Sequence, residues 1–226
     1  MALFDSLTRP NVERLLRKRN VGRLAKALSH REKEIQQAAI MALGELGEPG
    51  IAALRQASLG RPELRLVRAG VLGDLGLHHE AISDIEAYID AVGGEEKLPF
   101  EKIWVLVTRG ALKKDAGDAL DGLDDINKAI ARLDKEAPTP RKSPESVALE
   151  SIDRVSVGAL SSAMDASYAA WEKHRLGLQW KAQAYFERGR CHIALDRTAQ
   201  ARRDLRKAVE LEPEWTDRAD EVLNTI

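Results

Sequence analysis

Residues 182–215 read AQAYFERGRCHIALDRTAQARRDLRKAVELEPEW, and this stretch decides the fold. Small residues recur in it at the points where the two helices of an antiparallel hairpin come close, and a proline follows the second helix. The positions that define the pattern are Tyr185, Arg188, Gly189, His192, Ala201, Leu205, Ala208 and Pro213. The stretch therefore predicts a pair of packed helices joined by a short turn.

These positions have the spacing of the tetratricopeptide signature, which is W-x2-L-G-x2-Y, then A-x3-F, then P over roughly 34 residues. Residues 182–215 therefore resemble a tetratricopeptide repeat. The residue types depart from the signature at Tyr185, Arg188, His192 and Leu205, whereas every spacing is kept. The resemblance implies an array of helix hairpins that binds protein partners.

Two earlier segments carry the same pattern. One has IWVLVTRG at 103–110, a turn at Gly117-Asp118, and DINKAI at 125–130. A weaker unit runs from Leu64 to Ile89, with its turn at Gly76. The chain thus carries three segments with tetratricopeptide-like spacing.

All three units share a charged pair that the signature does not require. An arginine precedes the small residue of the first helix, and an aspartate follows sixteen positions later. The pairs are Arg68 with Asp84, Arg109 with Asp125, and Arg188 with Asp204. We predict that each pair is an ion pair that bridges the two helices of its hairpin, since the arginine fork matches a carboxylate. The alternative is that these arginines bind a ligand.

The first sixty residues follow a different pattern. Residues 34–47, EIQQAAIMALGELG, predict a helix that Gly47 ends, with Pro49 at the start of the next helix. The segment ELRLVRAGVLGDLG at 63–76 repeats this pattern. An alanine-rich helix with this ending is similar to the HEAT-like repeat of the pigment-lyase type. The resemblance implies HEAT-like hairpins at the N-terminal end, joined to the tetratricopeptide-like array within residues 63–90.

The patterns predict an all-α protein, an α-solenoid of antiparallel helix hairpins, in four segments. These are HEAT-like repeats at 1–60, a junction hairpin and tetratricopeptide-like unit at 61–134, an insertion at 135–177, and a C-terminal unit with a capping helix at 178–226. The insertion opens with the proline-rich EAPTPRKSP at 136–144, and a helix that Ser143 caps and Gly158 interrupts follows. That helix either covers an exposed hairpin face or folds into the concave groove of the array.

Composition narrows the classes of function. The chain has 226 residues, 44% of them apolar, and a net charge of -1, so it exerts no overall attraction on nucleic acid or anionic lipid. The absence of an apolar span or leader and the single cysteine predict a cytoplasmic protein. Residues 1–60 carry ten Lys and Arg against six Asp and Glu. This basic region lacks interleaved aromatics, so a solvated face or an acidic partner is favoured over nucleic acid.

Candidate catalytic and metal-binding groups are few. Among the five histidines, no pair lies four residues apart on one helix with a third ligand nearby, so the sequence predicts no metal and no cofactor. Cys191 and His192 lie about 100° apart on a helix, which prevents them from acting as a nucleophile with its base. No catalytic residue is predicted.

The repeats predict a partner-binding surface along their first helices. The positions expected to be exposed in the groove are Val107, Ala111, Lys114, Phe186, Arg190 and Ile193. Their mixed apolar and cationic character predicts a peptide or helix with some acidic character. The sequence thus favours a non-catalytic interaction scaffold with a protein or peptide partner, and leaves homo-oligomers open. The alternative is a HEAT-like enzyme or accessory factor, either pigment-lyase-like or nucleic-acid-processing.

Overall fold

The structure, a computed structural model, describes residues 10–137, residue 146 and residues 157–226, with the side chains of 157–160 excepted. These residues form helices and turns, and none of them lies in a β-strand. The all-α fold class, built from antiparallel helix hairpins, is confirmed. Two compact units are present, of which the first ends at Leu98 and the second begins at Pro99.

The first unit contains six α-helices within its described residues. They are α1 (Val12–Arg17), α2 (Val21–Ala27), α3 (Lys33–Glu45), α4 (Glu48–Gln56), α5 (Pro62–Asp74) and α6 (His78–Ala91). A 3-10 turn at Glu95–Lys97 follows them. His78 and His79 form the start of α6, directly after the predicted turn at Gly76.

Apolar residues from successive helices hold the first unit together. Leu24 of α2, Ile40 and Leu43 of α3, Leu54 of α4 and Leu64 of α5 belong to one buried cluster. Together with Leu15 of α1, these residues show that one stripe of each helix from α1 to α5 faces this core. Helices α1 to α5 therefore stack through a shared apolar interior.

The predicted division after residue 60 is not where the structure divides. Helix α5 packs against α3 as well as against α6, so residues 61–98 fold with the N-terminal helices. The reason is that α5 contributes Leu64 to the same apolar cluster as α3 and α4. The junction hairpin belongs to the first unit.

The second unit contains five α-helices within its described residues. They are α7 (Trp104–Asp115), α8 (Ala119–Glu136), α9 (Val157–Ala194), α10 (Thr198–Leu211) and α11 (Thr216–Leu223). Short 3-10 turns lie at Phe100–Lys102 and Pro213–Trp215. Helices α7 and α8 form one hairpin, α9 and α10 form another, and α9 also packs against α7 and α8.

Helix α9 corrects the predicted insertion. It spans 38 residues, from Val157 across the predicted boundary between 177 and 178. Gly158 is the second residue of this helix, and the expected break there stays a prediction, because the residues directly before Val157 lie outside those that the structure describes. The end of the insertion and the first helix of the last repeat are one element. The expected Ser143 cap lies outside the described residues.

Contacts near the middle of α9 fix it against the preceding hairpin. The ring centroids of Trp180 and Phe100 are 5.1 Å apart, and Nδ1 of His174 lies 3.3 Å from the carbonyl oxygen of Ala137. Nζ of Lys181 lies 2.7 Å from a carboxylate oxygen of Asp134. Toward its start the helix has more exposed residues, such as Tyr168 at 52% exposure. The helix thus covers the end of α8 through its central residues.

Within the described residues, no helix is long and apolar enough to cross a membrane.

Two glycines allow α7 and α8 to approach closely. A Cβ atom added at Gly110 would lie 2.6 Å from the carbonyl oxygen of Gly122, and one added at Gly122 would lie 2.4 Å from the carbonyl oxygen of Gly110. Atoms at such distances overlap, and the obstructing atoms belong to the backbone. Small residues at both positions are therefore required at this crossing.

We expect Gly122→Ala to destabilise the protein by about 1–3 kcal/mol, because the added methyl group forces α7 and α8 apart. Gly70→Ala is the matched control, since a Cβ atom there meets nothing within 4 Å. That control should raise stability by about 0.5–1 kcal/mol, as alanine favours a helix over glycine. Urea unfolding followed by circular dichroism measures both. Equal effects of the two substitutions would contradict the close approach.

Candidate functional site

The structure brings each of the three arginine and aspartate pairs together across its hairpin. Nε and Nη2 of Arg109 donate to the two carboxylate oxygens of Asp125 at 2.7 Å each. The corresponding distances are 2.6 and 2.5 Å for Arg68 with Asp84. They are 2.8 and 2.7 Å for Arg188 with Asp204. In every case the guanidinium fork meets the carboxylate with two parallel hydrogen bonds.

Two of these arginines also reach the helix that precedes their hairpin. Nη1 of Arg68 donates to the carbonyl oxygens of Leu54 and Ala57, at 2.7 and 3.2 Å. Nη1 of Arg188 donates to Oδ1 of Asn127 on α8, at 3.0 Å. The same guanidinium therefore joins the two helices of one hairpin to the helix that precedes them.

The aspartates have further partners on the first helix of their hairpins. Lys113 lies 2.9 Å from the carboxylate of Asp125, and Nε2 of His192 lies 3.6 Å from that of Asp204. Burial is deepest in the middle pair, where the side chains of Arg109 and Asp125 are 7% and 2% exposed. These contacts hold the arginines inside the protein, so the geometry favours the bridging role over ligand binding.

We expect Asp125→Ala to lower the free energy of unfolding by about 3 kcal/mol, because it leaves the buried guanidinium of Arg109 without its carboxylate. Asp124→Ala is the matched control on the same helix. The Asp124 side chain is 66% exposed and pairs with Lys128 on the surface of the helix, so its loss should cost under about 1 kcal/mol. Guanidinium unfolding curves compare the two variants. Equal midpoints would show that the bridge contributes little.

The predicted groove positions do not all face solvent. Val107 is fully buried, because α7 is packed between α8 and α9. Phe186 is also buried, since its ring lies against Trp215 with 4.8 Å between centroids and against the guanidinium of Arg218. The prediction of exposure is wrong for these two residues. Ala111 is half-buried.

The other three predicted residues come together. Lys114 of α7 and Arg190 and Ile193 of α9 line one pocket of about 300 Å³. Ala194 of α9 and Val222 and Thr225 at the C-terminal end complete its lining. We call this the C-terminal pocket. It lies within the second unit and is bounded by the last helix of the chain.

The charges at this pocket cancel, which contradicts the predicted cationic groove. Arg190 donates to Glu187 at 2.9 Å and to Asp115 at 3.4 Å. Lys114 also pairs with Asp115. Two cations and two carboxylates thus form one network between α7 and α9. The expected preference for an acidic ligand at this surface is therefore not supported, because the acceptors of these cations come from the protein itself.

Cys191 and His192 point into different surroundings. Burial raises the pKa of the Cys191 thiol to about 12, so the thiol is neutral at physiological pH. His192 faces the carboxylate of Asp204 across the hairpin, and burial lowers the pKa of its imidazole. The buried thiol and the imidazole therefore lack the arrangement of a nucleophile with its base.

We expect the Cys191 thiol to react at least about 100-fold more slowly with Ellman's reagent at pH 8 in the native protein than in 6 M guanidinium. A pKa near 12 instead of the usual value lowers the thiolate fraction by about a thousandfold. Absorbance of the released thiolate gives both rates, with Cys191→Ser as the blank. A native rate that matches the unfolded rate would show that the thiol is accessible and ionised.

The sequence pattern does not single out the residues that determine the character of the pocket. The signal for Glu187 was present, because it lies three residues before Arg190 and shares its helix face. Asp115 follows Lys114 directly, but its contact with Arg190 spans 75 positions and has no signal in the pattern. Val222 and Thr225 belong to the tail that was predicted to cap the array. Among the described residues, no group of three or more His, Cys, Asp or Glu is placed to hold a metal.

Residues 182–215 match the family model of the tetratricopeptide repeat. This is the repeat whose spacing the sequence shows, and in the structure it comprises the last part of α9, all of α10 and the turn before α11. The match supports a protein-interaction module. Neither the curated proteins nor the solved structures contain a match to the chain. The HEAT-like character of residues 1–60 stays a prediction.

Proposed function

We propose that this protein is a non-catalytic interaction scaffold that binds a peptide or a segment of a partner protein at the C-terminal pocket. The observation that carries the proposal is that the tetratricopeptide match includes the residues of α9 that line this pocket. Arg190, Ile193 and Ala194 all lie within the matched stretch. Repeats of this kind present the surfaces of their stacked helices to partners.

The chemistry of the pocket indicates what kind of segment it accepts. Its volume of about 300 Å³ is at the small end of the range for ligand sites, so a side chain or a short turn fits better than a large cofactor. Ile193 and Val222 supply apolar contact, and Thr225 supplies a hydroxyl group. Because the nearby charges are balanced within the protein, we infer that the bound segment is uncharged.

The exposed position of Ala194 provides a test that leaves the ion-pair network intact. Ala194 lies at the end of α9 and lines the pocket, so Ala194→Arg fills the opening with a long side chain. Ala199 is exposed at the start of α10 and does not line the pocket, which makes Ala199→Arg a control with the same change in size and charge. Both sites face solvent, and we expect both variants to keep the thermal stability of the original protein.

We expect a partner captured by the tagged original protein to be lost with Ala194→Arg and retained with Ala199→Arg. Quantitative mass spectrometry of affinity-purified material measures the enrichment, and we expect at least a tenfold fall for the first variant. Arg190→Gln, which removes two ion pairs at the same pocket, should also reduce the enrichment. A partner that all three variants retain equally would place the interaction elsewhere on the protein.

A further inference from the structure

A second concave surface lies in the first unit, between α1 and α2. Its volume is about 660 Å³, and its lining includes the side chains of Arg14, Lys18, Arg23, Lys26 and His30. None of the lining residues that the structure describes, which lie between Pro10 and His30, is Asp or Glu. We call it the N-terminal groove. Since it belongs to the first unit, its role can be tested independently of the C-terminal pocket.

The four Lys and Arg side chains of the groove are available for an external anion. All four are exposed, and none of the ion pairs within residues 10–137 and 157–226 includes any of them. Arg17, on another face of α1, pairs with Glu13 instead. Like charges gathered in one concavity repel each other and raise the local positive potential. An anion that enters the groove relieves this repulsion.

The helices that carry these cations are fixed at their starts. Oδ1 of Asn11 accepts the backbone N–H of Arg14 at 2.8 Å, and Oδ1 of Asn20 accepts that of Arg23 at 3.0 Å. Each asparagine thereby caps its helix. Leu15 and Ala27 are buried at the floor of the groove. The cations thus project from two capped helices around an apolar floor.

The charge of the rest of the unit limits the length of the anion. Residues 10–33 carry eight Lys and Arg against two Asp and Glu, a net of +6. Residues 34–98 carry five against eleven, a net of -6. Helix α1 has six residues and α2 has seven, so the basic rows are only about 10 Å long. A polyanion long enough to extend beyond the groove is repelled by the net negative charge of residues 34–98.

These features favour an acidic protein segment over nucleic acid. The lining residues among 10–30 include no Phe, Tyr or Trp on which a base could stack, whereas single-stranded nucleic acid is held largely through such stacking. Its apolar floor suits a small aliphatic side chain between acidic ones. We propose that the N-terminal groove binds a short acidic segment of a partner protein, whose carboxylates pair with Arg14, Lys18, Arg23 and Lys26.

The test uses the full chain and three fluorescent probes. One is a twelve-residue peptide with Glu at two of every three positions and Ala at the third, and the second has Gln in place of every Glu. The third is a twelve-nucleotide single-stranded DNA. Fluorescence anisotropy at 50 mM NaCl should show binding of the Glu peptide, at least about tenfold weaker binding of the DNA, and none of the Gln peptide. Raising NaCl to 500 mM should weaken the peptide complex at least about tenfold, as screening predicts.

Charge reversal identifies the surface. Arg14→Glu combined with Lys26→Glu should lower the affinity for the Glu peptide about tenfold or more, since two favourable contacts become repulsive. Arg17→Glu combined with Arg206→Glu is the matched control, because both arginines are exposed outside the groove and the net charge changes equally. The control should bind within about twofold of the original protein. The proposal is overturned if the Glu peptide does not bind, or if both double variants lower its affinity equally. It is also overturned if the DNA binds more tightly than the Glu peptide.

Discussion

The bridge between an arginine and an aspartate recurs across three hairpins, and the alignment of the paired helices from α5 to α10 depends on it. In each hairpin a guanidinium fork on the first helix meets a carboxylate on the second with two hydrogen bonds, as Arg109 does with Asp125. A buried ion pair adds little net stability over apolar packing, because both charges lose their hydration. Its effect is on register, since only one alignment of the two helices satisfies both hydrogen bonds. The bridge thereby fixes how each hairpin closes.

The same bridge connects neighbouring hairpins. Because a guanidinium has five N–H donors, Arg68 and Arg188 each have a donor left for the preceding helix after both oxygens of the aspartate are satisfied. A lysine could not reproduce this arrangement, since its ammonium lacks the planar fork. One residue type at one position of the repeat thus sets both the closure of a hairpin and its stacking on the previous one.

The bridges also influence where a partner can bind. The bridges hold Arg68, Arg109 and Arg188 inside the hairpins. Any charged group that contacts a partner must therefore be a different side chain. At the C-terminal pocket Arg190 is balanced by Glu187 and Asp115, whereas none of the ion pairs within residues 10–137 and 157–226 includes Arg14 or Lys26 of the N-terminal groove. The two surfaces therefore differ in the chemistry that they can recognise. We therefore propose an uncharged segment for the first and an acidic segment for the second.

The sequence alone determined the helix hairpins that carry the arginine and aspartate pairs, their turns and their register, because these depend on residues that lie within about twenty positions of each other. The sixteen-residue interval between Arg188 and Asp204 and the glycine turns at Gly76 and Gly117 are of this kind. Only the tertiary structure decided which helix faces are covered. Phe186 is buried because Trp215 and α11 fold back on it, and Arg190 is neutralised in part by Asp115, which is 75 positions away. Such contacts have no period in the sequence, since they depend on where distant elements meet.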